Sequence, residues 1–148
     1  RYMVYETNED KVVLEKEIHH LKNFIKVYQL RIAEEDDVSI NFVTEGALNA
    51  VKISPMLLIP FVENAIKHGI DPKIKSIIDI SLKEDQKKLY FKVTNTIRQG
   101  VYGLADESSG FGLDNLKKRL AILYPNMYTL DTKEENGYYV ALLILQLD

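Results

Sequence analysis

The sequence predicts an α+β fold, a two-layer sandwich with helices on one face of a mixed, mostly antiparallel sheet. Three observations point there. Some segments repeat apolar residues at helical spacing, and others alternate apolar and polar residues as strands do. The order runs helix, hairpin, helix, two strands, loop, helix, hairpin. At 148 residues the chain is one domain's worth, long enough to bury roughly 70% of its unfolded surface.

Taken in order, residues 1–11 are polar with scattered aromatics. From 14 to 33, Ile18, Leu21, Ile25, Tyr28 and Ile32 form one stripe of an amphipathic helix, which the acidic residues 34–37 end. Ile40 and Phe42, with Val51 and Ile53, read as a short hairpin turning near Gly46. Ser54-Pro55 supplies a cap and a first-turn proline, predicting a helix over 55–68 that stops at Gly69 and is bent by Pro60. That helix is apolar nearly all round and should be buried. Strands follow at 77–82 and 89–94, joined by a charged turn at 83–88. Residues 96–110 show no period, and Gly100, Gly103, Gly110 and Gly112 crowd this region. Leu113, Leu116, Leu120 and Leu123 resume a helix closed by Tyr124-Pro125. Segments 128–133 and 138–147 form a closing hairpin around Asn136-Gly137.

Composition narrows the function. Lys and Arg number 19 against 22 Asp and Glu, a net charge of −3, which argues against nonspecific polyanion binding and a nucleic-acid partner. The absence of cysteine excludes disulfides, thiolate zinc sites and a cysteine nucleophile. The longest apolar run, 140–145, is far below the ~18 residues of a membrane span. The chain begins at Arg1 without a signal-peptide pattern, which reads as a piece cut from something longer.

Three features carry candidate chemistry. Asn64, Lys67 and His68 stand at i, i+3 and i+4 near the end of the buried helix, a spacing that places them on one face. A neutral Asn oxygen suits Mg²⁺, and a lysine meets phosphates as a point charge. The alternative is that His68 and Gly69 cap the helix while Asn64 is satisfied within the core. Gly110-Phe111-Gly112-Leu113, placed before a helix, allows close backbone approach and an anion at the helix start, or else is a bare loop. Asn95, ending a strand, can accept from an amine and donate to a ring nitrogen, or merely start a turn.

Together these residues resemble the C-terminal ATP-binding catalytic domain of LytS/YehU-like sensor histidine kinases, within the Bergerat (GHKL) ATPase fold. The resemblance covers essentially the whole chain. Its anchors are residues 1–18, 55–69 and 110–120, and the most specific is Pro60-Phe61-Val62-Glu63-Asn64-Ala65-Ile66-Lys67-His68-Gly69, which is similar to the family's N-box. The resemblance implies ATP and Mg²⁺ as cofactors, with Asn64 as the Mg²⁺ ligand, Lys67 on phosphates and His68 flanking the nucleotide. Gly110, Phe111, Gly112 and Leu113 would match the G2 box and hold phosphates, with 96–109 as the lid and Asn95 at the adenine-reading position. It further implies residues 1–36 as a linker and helix after the phosphoacceptor region, and 37–148 as the catalytic domain. The implied activity is protein histidine kinase within a two-component system: the γ-phosphoryl passes to a histidine upstream of this fragment, then to a response regulator. A homodimeric parent anchored in the inner (cytoplasmic) membrane, with this domain in the cytoplasm, completes that picture.

Three departures qualify it. Asn95 stands where the family usually has Asp, giving up a charge-assisted bond about twice as strong as a neutral one. Thr96-Ile97-Arg98-Gln99 replaces the G1 glycines. Pro60 occupies the position of the glutamate used by relatives that hydrolyse ATP, which disfavours water as the nucleophile, while phosphoryl transfer rests on positioning and charge. His19 and His20 lack the acceptor motif and read as helix-surface or dimer-facing residues. A degenerate, noncatalytic nucleotide-binding or interaction module of the same fold, or an anti-sigma-factor-type serine kinase, are the other readings.

Overall fold

Alternation through 76–96 and 128–146 builds the sheet on which everything else rests. The computed structural model describes residues 11–32, 36–97 and 104–147, and for 104–112 the backbone alone. In chain order the elements are β1 (Val12–Val13), α1 (Leu14–Gln29), β2 (Val38–Glu45), β3 (Lys52–Ile53), α2 (Ile59–Gly69), β4 (Ser76–Asp85), β5 (Lys88–Thr96), α3 (Leu104–Leu123), β6 (Tyr128–Glu135) and β7 (Tyr138–Gln146). Five strands pair in the order β2-β4-β5-β7-β6, and β1 pairs with β3 in a separate two-stranded ribbon. The β2–β4 pair is parallel and the remaining pairs are antiparallel, so the expected mixed, mostly antiparallel α+β sandwich stands.

Strand periodicity sorts the sheet into two faces. Ile78, Ile80, Leu82, Leu89, Phe91, Val93, Ala141, Leu143 and Leu145 are buried on one face, where α2 and α3 pack. Asp79, Lys83 and Lys92 on the other face are exposed. Phe91 meets Phe61 of α2 edge-on, with ring centroids 5.5 Å apart. Leu14, Ile18, Leu21 and Ile25 of α1 join the same core, each contributing roughly 1.5–3 kcal/mol of burial. The apolar stripe of this helix therefore packs on the core.

Four local expectations are corrected. The first helix ends at Gln29 rather than near 33: Leu30 is 82% exposed, and a helix without core to cover loses its main support. Residues 40–53 do not form a hairpin. β2 instead runs parallel to β4, from Val38↔Ser76 to Glu45↔Lys83, while Ile53 pairs with Val12. Gly46 is a site of close approach, not a hairpin tip. With φ +111°, it lies where a Cβ would meet the Glu84 carbonyl oxygen at 2.2 Å. The chain then turns back to α1, whose first amides, at Leu14 and Glu15, donate to the carbonyls of Val51 and Leu48, satisfying helix-start donors without a side-chain cap.

The buried helix starts at Ile59, not at Pro55. Met56 has φ +62°, which interrupts a right-handed helix, and the amides of Met56 and Leu58 donate to the Glu17 carboxylate at 3.1 and 3.3 Å. Pro60 therefore falls in the first turn, where its missing N–H costs nothing, and it starts the helix instead of bending it. Finally, α3 begins at Leu104, so Gly110 and Gly112 lie within a helix and not before its start at Leu113. Ala105, Asp106 and Glu107 favour a helix beginning with acidic residues, and that preference outweighs the two glycines.

The closing hairpin matches its turn signal. Asn136 and Gly137 have φ of +53° and +83°, as a two-residue type I′ turn requires. Gln86 and Lys87, with φ of +50° and +64°, turn β4 into β5 in the same sense.

Candidate functional site

Helix α2 crosses the covered face of the sheet, and its polar residues emerge where the sheet's central strands end. A cleft opens there between α2, the middle of α3 and the strands. Phe61, Asn64, Ala65 and His68 line it from α2, Val93 and Asn95 from β5, and Ile97 from the residues just after. Leu113 comes from α3, Glu134 from β6, and Tyr139 and Ala141 from β7. It encloses about 490 Å³ of empty space counting its mouth. Its lining combines apolar side chains with the polar groups of Asn64, His68, Asn95, Glu134 and Tyr139, the mixture common in small-molecule sites.

Asn95 is buried, and its Nδ2 donates to the Thr96 carbonyl at 2.8 Å. A carbonyl accepts only from the amide nitrogen, so this bond fixes which end of the Asn95 amide is which and leaves Oδ1 as the acceptor for an incoming donor. Thr96 Oγ1 donates to the Gly69 carbonyl at 3.0 Å and accepts from the Ile77 amide at 3.2 Å. The end of β5 is thereby tied to the end of α2. Gly69 permits that closeness: a Cβ there would lie 2.8 Å from Asn95 Cβ. The Asn95-Thr96 pair continues the strand and does not open a turn.

The structure brings Asn64, His68, Asn95 and Leu113 together and leaves Lys67 apart. Lys67 is exposed and lines a separate groove with Glu63 and with Phe24, Val27, Tyr28 and Arg31 at the end of α1. The expectation that Asn64, Lys67 and His68 share one face is corrected. Successive residues step by about 100°, so i+3 and i+4 fall on opposite flanks of i, and the sheet selects the flank of His68. Gly110, Phe111 and Gly112 occupy the α3 backbone within a turn of Leu113. The expected lid, 96–109, is described only in part: Thr96 and Ile97 reach the cleft region, 98–103 lie outside the described residues, and 104–109 are helical in backbone. Residues 1–10 of the first sequence anchor also lie outside them.

His19 is exposed and His20 half-buried, and His19 Nε2 meets Asn23 Nδ2 one turn on at 3.2 Å, a helix-surface arrangement. Among the described residues no cluster of three or more His, Asp or Glu could hold a metal ion. Asn64 offers one neutral oxygen at the cleft, a donor set that fits a Mg²⁺ taking its other ligands from phosphates and water. Among the described residues no helix is long and apolar enough to cross a membrane.

Tyr139 and Glu134 were not singled out from the sequence. They reach the cleft because the row Asn95↔Tyr139↔Glu134 runs across three paired strands. The Asn136-Gly137 turn alone would have set Glu134 opposite Tyr139. What it could not give is the pairing of β7 with β5.

The chain is similar to known sensor kinases. It is 27% identical over 151 residues to the sensor histidine kinase YpdA of Escherichia coli (strain K12), covering 95% of this chain and 26% of the relative. It is 30% identical over 104 residues to the sensor protein LytS of Oceanobacillus iheyensis, covering 70% of this chain and 16% of the relative. This chain thus spans about a quarter or less of the length of these relatives. No family model matches. Among solved structures, the catalytic domain of histidine kinase ThkA superposes with a TM-score of 0.63 at 14% identity, covering 92% of this chain and 93% of that one. Full-length ShkA in complex with AMPPNP gives 0.64 at 14% identity over 93% of this chain and 31% of that one. The fold is that of histidine kinase catalytic domains, and the resemblance to LytS-type sensor histidine kinases stands.

Proposed function

We propose that this chain is the ATP–Mg²⁺-binding catalytic part of a two-component sensor histidine kinase. The observation that carries the reading is the meeting of Asn64, His68, Asn95 and Leu113 in one cleft, on the fold of proteins that include a kinase solved with AMPPNP. In this reading Phe61, Ala65, Val93 and Ala141 enclose the purine, and Asn95 Oδ1 accepts its exocyclic amine. Asn64 faces the phosphates through Mg²⁺, which when bound neutralises charge on the phosphate oxygens. His68 flanks the nucleotide from the next turn of α2.

Phosphate contact with the backbone of 110–112 requires α3 to open ahead of Leu113, because amides inside a helix already donate along it. The two glycines make that opening easier by about 1 kcal/mol each relative to alanine. Lys67 has no part in this arrangement, since it stands in the groove toward α1. The acceptor is a histidine outside residues 1–148 and a response regulator follows it. The division into a linker-plus-helix (1–36) and a catalytic domain (37–148) belongs to the same reading, as does a membrane-anchored homodimeric parent holding this domain in the cytoplasm.

Calorimetric titration of the 148-residue chain with AMPPNP and Mg²⁺ tests binding, and absence of heat at millimolar ligand sinks the proposal. Transfer from ATP to a supplied acceptor-helix fragment should yield an acid-labile phosphate. An acid-stable phosphate would instead indicate a serine kinase, and binding without transfer a noncatalytic module.

A further inference from the structure

The segment leading into α2 is held in a way that hydrophobic packing does not require. Its backbone groups are bonded by side chains from two other helices. Glu17 of α1, fully buried, takes the Met56 amide on Oε1 and the Leu58 amide on Oε2, at 3.1 and 3.3 Å. Arg119 of α3 donates through Nη1 to the Met56 carbonyl at 2.8 Å and through Nη2 to the Pro55 carbonyl. Tyr124, just past α3 and buried, accepts from the Ser54 amide at 3.0 Å. Five backbone groups of a five-residue segment are thus bound by three side chains, with Met56 held in the left-handed region at φ +62°. Burying a carboxylate is costly unless its geometry is well matched. Here both oxygens and both arms of the guanidinium fork are used, which fixes orientation as well as contact.

None of these three residues lines the cleft, yet they join its two helical walls. We infer that Glu17 and Arg119 are positioning residues: they set α2, bearing Asn64 and His68, against α3, bearing Gly110 to Leu113, and tie both to α1. The inference rests on the proposed nucleotide site for its functional consequence, and on hydrogen bonds alone for its structural one. Any shift of α1 along its axis acts on Met56 and Leu58 through Glu17, and so on the head of α2. That makes α1 a lever on nucleotide affinity.

Two conservative variants isolate this role. Glu17→Gln keeps the volume but has one acceptor oxygen for two amides, and Arg119→Lys keeps the charge but loses the planar fork. Because the chain has no cysteine, the exposed pair Glu63→Cys on α2 and Lys117→Cys on α3 can be spin-labelled uniquely. Distances between the labels, and affinity for a fluorescent ATP analogue with Mg²⁺, are measured at least 20 °C below each variant's melting point. The expected result is a broadened distance distribution in Glu17→Gln and Arg119→Lys and a weakening of binding by about tenfold. Leu82→Ala, a core variant on β4, should lower the melting point while leaving both readouts unchanged. Lowered melting points with unchanged distances and unchanged affinity would overturn the inference and leave Glu17 and Arg119 as stability residues only. Broadened distances in a protein that never binds nucleotide would support the positioning role and defeat the proposed function instead.

Discussion

Gly69→Ala probes how the cleft is assembled from two elements that must nearly touch. A methyl group at this position would lie 2.8 Å from Asn95 Cβ, 3.0 Å from its Nδ2 and 3.2 Å from its Cγ. Real Cβ contacts essentially never fall below 3.0 Å, so either the end of α2 or the end of β5 has to move. Neither is free to do so, because Thr96 Oγ1 bonds the Gly69 carbonyl and Asn95 Nδ2 bonds the Thr96 carbonyl. Overpacking of this kind costs about 1–3 kcal/mol. The gain in helix propensity offsets at most about 1 kcal/mol, and less at a terminal residue. A net loss of about 1–2 kcal/mol remains, which lowers Tm by roughly 2–8 °C in a domain of this size. On the proposed nucleotide site, displacing the Asn95 amide should also remove one hydrogen bond to the purine, about 0.5–1.5 kcal/mol or a several-fold loss of affinity. Thermal melts followed by circular dichroism and a titration with an ATP analogue measure both. The nearest atom is a Cβ, which alanine also carries, so adding Asn95→Ala should recover only part of the lost stability. An unchanged or raised Tm in Gly69→Ala would refute the close-approach argument.

Asn64→Ala should abolish the Mg²⁺-dependent part of nucleotide affinity and move Tm by less than about 2 °C, the usual range for a partly exposed polar side chain. A large fall in Tm would make Asn64 a core residue instead. Lys67→Ala should change affinity for the same ligand by less than about twofold, because the side chain lines the groove toward α1; a tenfold loss contradicts its placement. Phe91→Ala removes a fully buried ring packed on Phe61 and should cost about 3–5 kcal/mol in denaturant unfolding, where a loss below 1 kcal/mol would contradict the assigned core. Hydrogen exchange across 104–112 should rise on adding nucleotide if α3 opens to meet phosphates, and protection there without opening would count against that step.

The elements that could be read from the sequence are those whose cause is local. The Asn136-Gly137 turn, the alternation of β4, β5 and β7, and the first part of the stripe, Ile18-Leu21-Ile25, each follow from spacing that a few residues define. The misread elements are those decided at a distance. Ile40, Phe42 and Ile53 are strand residues as expected, yet their partners are on β4 and β1, about forty residues away, and no turn signal encodes a parallel pair. Ser54-Pro55 carries a sound start signal for a helix. It loses to Glu17, which takes the Met56 and Leu58 amides from another helix and delays the start to Ile59.

The candidate site divides the same way. Asn64, His68 and Asn95 stand out in the sequence as polar groups on a buried helix or at the end of a strand, where burial costs free energy unless they are paired, and all three line the same cleft. Spacing alone could not choose between Lys67 and His68. Residues at i+3 and i+4 flank residue i on opposite sides, and only the position of the sheet decides which flank faces the cleft. The sheet takes His68, α1 takes Lys67, and the Thr96 bond to Gly69 fixes that choice by pinning the end of α2. The rotation of one helix about its axis therefore determines which side chains line the cleft. Thr96 holds the end of α2 through the Gly69 carbonyl, and Glu17 and Arg119 hold the segment leading into it, contacts that spacing within one helix does not encode.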